Sequence, residues 1–121
     1  LIRDYFPKST DFTMIPEVSV LINEFLKQGN VNFKKHALVR IIERKISIQD
    51  VEEALLHCTV IESYSEDKPL PRYLVIGYTK NKRPLHIVVA LDTIERHIWI
   101  ITVYEPHQTK WSDHMTKRKK I

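Results

Sequence analysis

The sequence predicts an α+β domain in which N-terminal helices pack on one face of a four-stranded antiparallel sheet. The first half of the chain has apolar residues at helical spacing, whereas from residue 59 onward the runs are rich in β-branched and aromatic residues. The connections between the predicted strands are too short to hold crossover helices. Neighbouring strands are therefore antiparallel, and the helices are left to cover one face of the sheet.

The first predicted helix covers residues 16 to 28, with Pro16 at its first position and Gly29 as its stop signal. Its apolar residues at helical spacing are Val18, Leu21, Ile22, Phe25 and Leu26. A helix with one apolar stripe needs a surface to cover, so we expect this one to pack against the rest of the domain or against a partner.

The second predicted helix covers residues 34 to 44, with Asn32 as a candidate cap, and it has two chemically different faces. At about 100° per residue, one arc holds His36, Arg40, Glu43 and Arg44. The opposite side holds Ala37, Leu38, Val39, Ile41 and Ile42, which we expect to be buried. Two interpretations of the polar arc are open: a site for proton transfer and phosphate binding, or a solvated face with weak ion pairs.

The third predicted helix covers residues 48 to 57, and its start is well specified. Ser47 and Asp50 have the spacing of a capping box, in which each residue satisfies a backbone N–H of the other. Ile46 and Val51 fall where a hydrophobic staple would fix the direction of the entering chain.

Four strands are predicted in "TVIESY", "RYLVIGYT", "PLHIVVAL" and "HIWIITVY". In the third strand, alternation places His86 opposite Leu85 and Ile87. His86 therefore points toward the open face of the sheet if those larger side chains form the core, and otherwise it is a hydrogen-bonded core histidine. Tyr104 ends the fourth strand, where it either packs and hydrogen-bonds through its hydroxyl or serves as a proton donor or phosphate contact.

Composition limits the class of protein. The chain has 121 residues, enough for one domain, and a formal net charge of +4 that is concentrated in its last dozen residues. Cys58 is the single cysteine, so no internal disulfide and no thiolate zinc site can form. No apolar run approaches the roughly 20 residues of a membrane span, and we expect a cytoplasmic protein that does not bind membranes. The C-terminal segment "EPHQTKWSDHMTKRKKI" has no assigned place, although Trp111 indicates that it docks on the domain.

No cofactor is expected, since the chain contains no GxxxxGK[ST], GxGxxG, GxSxG or HExxH motif. His97, His107 and His114 lie near the C-terminal end, but they lack acidic or cysteine partners at ligand spacing. We therefore expect no metal site.

Four blocks in order, "FKKHALVRIIERKISIQDVEEAL", "VIESYSEDKPLPRYLVIGYT", "RPLHIVVALD" and "IITVYEPHQTKW", resemble a prokaryotic family of small domains of unknown function. Its pattern reads HAxxRxxERxI, Y-x-x-D-x-P-x-P, RPLHVV and ITxYxP. That family looks like a branch of the RelE-like and BrnT-like toxins, which implies a RelE-like or barnase-like ribonuclease fold. The resemblance divides the chain into an N-terminal extension with an amphipathic helix (1–32), a toxin-type domain (33–111) and a basic C-terminal tail (112–121).

The resemblance implies a metal-independent endoribonuclease, the toxin of a type II toxin–antitoxin pair, with RNA and a zinc-finger antitoxin of the MqsA type as partners. The motif positions match His36, Arg40, Arg44, His86 and Tyr104. One histidine would take the proton of a ribose 2′-hydroxyl, the other histidine or the tyrosine would protonate the leaving 5′-oxygen, and the two arginines would stabilise the phosphorane.

Two other classes stay open from the sequence. One is a non-catalytic module of the same fold that binds RNA or protein through its basic face, with structural histidines. The other is a scaffold that forms a homodimer through the first helix, which the family pattern does not include.

Overall fold

The computed structural model describes residues 18–119, which form three helices and two sheets. The elements in chain order are α1 (Val18–Lys27), β1 (Val31–Phe33), α2 (Lys35–Glu43), α3 (Ile48–Leu55), β2 (Thr59–Tyr64), β3 (Arg72–Tyr78), β4 (Pro84–Asp92), β5 (His97–Tyr104), β6 (Trp111–Ser112) and β7 (Lys117–Arg118). The α+β class is confirmed, and Pro16, the predicted start of the first helix, lies outside the described residues. No helix among residues 18–119 is long and apolar enough to cross a membrane.

The main sheet has five strands in the order β1-β5-β4-β3-β2 and is mixed. Strands β2 to β5 form the predicted antiparallel meander, but β1 is added at the edge, parallel to β5, with Val31 beside Ile98. The prediction of a four-stranded, purely antiparallel sheet is therefore wrong at this edge. A strand of three residues is too short to show the alternation that identifies longer strands.

The predicted cap of the second helix is also wrong, because Asn32 lies within β1. Lys34 occupies the cap position without a side-chain hydrogen bond, and its backbone N–H donates to the Ile100 carbonyl at 2.9 Å. The pairing with β5 thus continues one residue beyond β1, and α2 follows directly from the strand.

The helices cover one face of the sheet, as predicted. The core residues contributed by β4 are Leu85, Ile87, Val89 and Leu91, and those contributed by the helices are Leu21, Ile22, Phe25, Ala37, Ile41, Val51, Ala54 and Leu55. The face of β4 that carries His86 is consequently the face turned away from the helices.

The capping box at the start of α3 is confirmed. The Asp50 backbone N–H donates to Ser47 Oγ at 2.9 Å, and the Ser47 backbone N–H donates to Asp50 Oδ2 at 2.9 Å. Ile46 and Val51 are both buried, as the predicted staple requires.

The apolar face of α2 is only partly buried. Ala37 and Ile41 are in the core, whereas Leu38, Val39 and Ile42 are exposed, with Ile42 at 75%. The prediction that all five apolar residues are buried is wrong because α2 packs against β5, near the edge of the sheet, and only a narrow stripe of the helix touches it.

The C-terminal segment folds back as a two-stranded hairpin of β6 and β7. Trp111 is 4% exposed, and its ring centroid lies 4.3 Å from that of His86. The predicted docking of Trp111 is confirmed, and the hairpin covers part of the helix-free face of the sheet.

Candidate active site on the helix-free face of the sheet

His86 lies on the helix-free face of the sheet and is nevertheless fully buried, because the hairpin covers it. Its Nε2 atom lies 2.7 Å from the Met115 carbonyl oxygen, and its Nδ1 atom lies 3.1 Å from the Tyr104 hydroxyl. A carbonyl oxygen only accepts hydrogen bonds, so this network places the ring proton on Nε2. Nδ1 then carries a lone pair and accepts the hydrogen bond that Tyr104 donates.

The environment favours the uncharged forms of both groups. Burial lowers the pKa of His86 below its ordinary value of 6.5, although the Met115 carbonyl partly opposes this shift. Burial likewise raises the pKa of the Tyr104 hydroxyl above its ordinary value. A neutral imidazole that accepts a hydrogen bond from a protonated phenol is the arrangement that these shifts support.

An ion pair links the hairpin to β2. The Arg118 guanidinium donates two hydrogen bonds to the Glu62 carboxylate, at 2.6 and 3.0 Å, and stacks 4.7 Å from the Trp111 ring centroid. The Tyr64 hydroxyl donates to the same carboxylate. The hydrogen bonds from Arg118 are the main reason why the pKa of Glu62 lies below its usual range.

Two cavities share Tyr104 and Glu105 in their walls. One, of about 340 Å³, is lined by Arg44, Arg83, Tyr104 and Glu105. The other, of about 490 Å³, is lined by Tyr104, Glu105, His107, Thr109, Lys110, Trp111 and Arg118. We call the two together the Tyr104 groove. Its walls carry three arginines, one lysine and one carboxylate, and this excess of positive charge favours an anionic ligand.

Arg83 ties the end of α2 to this groove. It donates to the Lys45 carbonyl at 2.9 Å, to the Arg44 carbonyl at 3.2 Å and to Glu105 Oε1 at 3.0 Å. These two carbonyls directly follow α2, so Arg83 satisfies backbone groups at the helix end that would otherwise need water. Arg44 itself donates to the Val103 carbonyl at 2.5 Å, which holds its side chain beside β5.

Residues 33–105, more than half of the chain, match the family described as "Domain of unknown function (DUF4258)". The chain belongs to this family. No curated protein and no solved structure was found to match it. Because the DUF4258 description assigns no activity, any function must be argued from the site itself.

Three of the five predicted site residues meet at one place in this DUF4258 domain. His86 and Tyr104 are hydrogen-bonded, and Arg44 shares a cavity wall with Tyr104. His36 and Arg40 instead lie exposed along α2, where Arg40 pairs with Glu43 at 3.3 Å. The helical rise of 1.5 Å per residue places His36 about 12 Å from Arg44 along the helix axis.

Several residues in or beside the groove are not singled out as site residues by the sequence. Arg83 opens the "RPLH" block, so the resemblance offered a signal for it. His107 directly follows Pro106 of the last block and was considered only as a metal ligand. Glu62 and Arg118 carry no signal, since 56 positions separate them and only the docked hairpin brings them together.

Two further observations concern the thiol and candidate metal ligands. Cys58 is buried, and burial raises the pKa of its thiol to about 11, so it is a poor nucleophile at neutral pH. Among residues 18–119, no group of three or more His, Cys, Asp or Glu side chains is arranged to hold a metal ion.

Proposed function

We propose that the protein is an endoribonuclease of the toxin type that binds RNA in the Tyr104 groove and cleaves it by acid–base catalysis. One observation carries the proposal: Tyr104, which lines a groove with cationic walls, is hydrogen-bonded through its hydroxyl to Nδ1 of the buried His86. The RelE-like fold and the zinc-finger antitoxin belong to the same proposal, and both rest on the motif resemblance.

In the proposed reaction, Tyr104 takes the proton of a ribose 2′-hydroxyl and passes its own proton to His86 Nδ1. The 2′-oxygen attacks the neighbouring phosphorus, the bond from phosphorus to the 5′-oxygen breaks, and the leaving 5′-oxygen takes up a proton from a group other than this pair. The products are a 2′,3′-cyclic phosphate and a 5′-hydroxyl. The lowered pKa of His86 keeps the ring neutral before reaction, which is the state that can accept a proton.

The cations of the groove supply the electrostatic part. Arg44, Arg83 and Arg118 line its walls beside Tyr104, where fixed positive charge stabilises the negative charge that develops on the phosphorane oxygens. His36 and Arg40 extend the basic surface along α2 and would contact RNA phosphates outside the groove.

The test uses Tyr104→Phe, which removes the hydroxyl and keeps the ring that packs on His86. Purified protein is incubated with total RNA in EDTA, and the products are analysed for 2′,3′-cyclic phosphate ends. Loss of acid–base catalysis typically costs a factor of about 10²–10⁴, so we expect at least roughly a hundredfold slower cleavage. His86→Ala is less informative because it would leave the Met115 carbonyl without its partner.

Tyr78→Phe is the matched control, because Tyr78 is 49% exposed at the end of β3 and does not line the groove. It should cleave at the wild-type rate. Undiminished cleavage by Tyr104→Phe would remove the tyrosine from the mechanism. His36→Ala, tested beside it, measures the role that the motif resemblance gives to His36.

A second candidate function is a non-catalytic RNA-binding module. Both ring nitrogens of His86 already have partners inside the protein, as they do in many structural histidines. In that case RNA stays intact with every variant, while its affinity falls as salt rises because bound phosphates exchange counterions for the groove cations. A gel-shift titration at several salt concentrations, with the RNA recovered afterwards, separates the two functions.

A further inference from the structure

RNA cleavage needs a second proton-transfer group, because the leaving 5′-oxygen must be protonated. Tyr104 with His86 supplies only the base of the proposed reaction. His107 lines the same cavity wall as Tyr104 and Arg118, and it is exposed. Of the six histidines, His86 and His107 are the two that meet the groove, one buried beneath it and one in its wall.

The backbone around His107 is held by a turn. The N–H groups of Lys110 and Trp111 both donate to the His107 carbonyl, at 3.0 and 3.1 Å. Since the Trp111 ring is packed against His86, this turn fixes His107 relative to the Tyr104–His86 pair.

The two ring nitrogens of His107 have different surroundings. Its Nδ1 atom lies 3.0 Å from Thr109 Oγ1 and 3.3 Å from the Thr109 backbone nitrogen. In the protonated ring, Nδ1–H can donate to Thr109 Oγ1, because a hydroxyl oxygen can accept a hydrogen bond. That hydrogen bond keeps a proton on Nδ1 when Nε2 gives its own proton away. Nε2 has no partner among residues 18–119 and is therefore the atom that can give a proton to a ligand.

We propose that His107 is the general acid of the RNA cleavage proposed above, on which this inference rests. As the bond from phosphorus to the 5′-oxygen breaks, protonated His107 gives its Nε2 proton to that oxygen. The proton taken from the 2′-hydroxyl stays on the Tyr104–His86 pair, so one proton is gained and one is lost by the protein. His107 thereby fills the place that the motif resemblance gives to His36, which lies along α2 away from the groove.

The test is His107→Asn, with a pool of random-sequence, single-stranded RNA oligonucleotides as substrate. The asparagine Oδ1 can accept the Thr109 N–H in the manner of an Asx turn, so the variant keeps the local turn and loses the imidazole. We expect kcat to fall by a factor of about 10² or more and the alkaline limb of the pH–rate profile to disappear. Added imidazole should restore part of the rate.

His114→Asn is the matched control. His114 is exposed in the hairpin turn with φ of 55°, a conformation that asparagine tolerates, and it does not line the groove. Its rate should equal that of the wild type. The same oligonucleotides with a 2′-deoxy backbone should bind to His107→Asn within a few-fold of the wild type, because the arginine and lysine side chains of the groove stay in place.

The outcomes separate the two proposals. If the wild type leaves the RNA pool intact, the proposed function and this inference both fail. If the wild type cleaves and His107→Asn keeps its rate and its alkaline limb, the general acid lies elsewhere and the Tyr104–His86 base still stands. A slow variant with an unchanged pH profile and no response to imidazole would also overturn the assignment, since it indicates a structural effect.

Discussion

Gly77 is the position where the packing of α3 on the sheet is most sensitive to a single methyl group. It lies on β3 beside Leu85 of β4, and a Cβ atom added to it would be 1.6 Å from the Ala54 carbonyl oxygen and 2.5 Å from the carbonyl carbon. Comfortable contact between such atoms needs about 3.5 Å, so Gly77→Ala requires α3 to move away from β3 by roughly 2 Å.

The magnitude follows from what that movement disturbs. Adding methylene groups to a packed core typically costs about 1–3 kcal/mol, because side chains leave their rotamers to make room. Here the obstacle is backbone, which cannot rotate away, and α3 also carries Val51 and Leu55, which are both fully buried. We therefore expect Gly77→Ala to lower the free energy of unfolding by about 3 kcal/mol or more. At roughly 4 °C per kcal/mol, the melting temperature should fall by about 12 °C.

Gly29→Ala provides the matched control, since the chain has only these two glycines. Gly29 has φ of 76° and nothing within 4 Å of its added Cβ, so its substitution costs only the left-handed conformation, about 1 kcal/mol. Urea unfolding followed by circular dichroism measures both variants. If Gly77→Ala were no less stable than Gly29→Ala, α3 could not lie this close to β3, and the core described above would be incorrect.

Two further predictions concern the site. Burial holds the pKa of His86 in the folded protein below 6.5, so the unfolded chain takes up a proton on this ring at a higher pH than the folded protein does. The free energy of unfolding that depends on neutral His86 is therefore complete above pH 6.5 and falls as the pH drops below it. Urea unfolding between pH 7 and pH 5 should show this loss in the wild type and a smaller loss in His86→Gln. If the free energy of unfolding changed equally with pH in both proteins, the prediction would be contradicted. The second prediction is that Glu62→Gln accelerates amide hydrogen exchange in residues 111–118 a few-fold. The effect is small because Arg118 is largely exposed and its ion pair with Glu62 is worth less than about 1 kcal/mol. Glu66→Gln, at an exposed position in the turn after β2, should leave that exchange unchanged.

Apolar periodicity and capping motifs predicted most of the fold, because a long helix or strand repeats its pattern often enough to be recognised. The alternation along β4 separated His86 from Leu85 and Ile87 but left open which face is the core, and the structure shows that Leu85 and Ile87 are on the core side. The Ser47–Asp50 spacing located the start of α3. The edge strand β1 was missed because its three residues are extended only through their pairing with β5, and three residues are too few to show alternation. The exposed side of α2 was missed for a related reason: periodicity gives the apolar arc of a helix, but the sheet edge decides how much of that arc is covered.

The candidate site also contains residues that the sequence predicted and contacts that it could not predict. The motif resemblance selected Arg44, His86 and Tyr104, which the structure brings together. It also selected His36, which lies on the exposed face of α2. No pattern in the sequence relates Arg118 to Glu62, because their contact depends on how the hairpin docks.

The hairpin is therefore part of the chemistry as well as the fold. On an uncovered sheet face, His86 would be solvated, and burial would not lower its pKa. The Met115 carbonyl, which leaves the lone pair on Nδ1, comes from the hairpin, as does the Trp111 ring that excludes water from His86. Residues 33–105, which match the DUF4258 family, supply the imidazole and the phenol, but their protonation states depend on residues 111–118. A chain with the same motifs and a different C-terminal segment should consequently differ in the pH dependence of its site before it differs in fold.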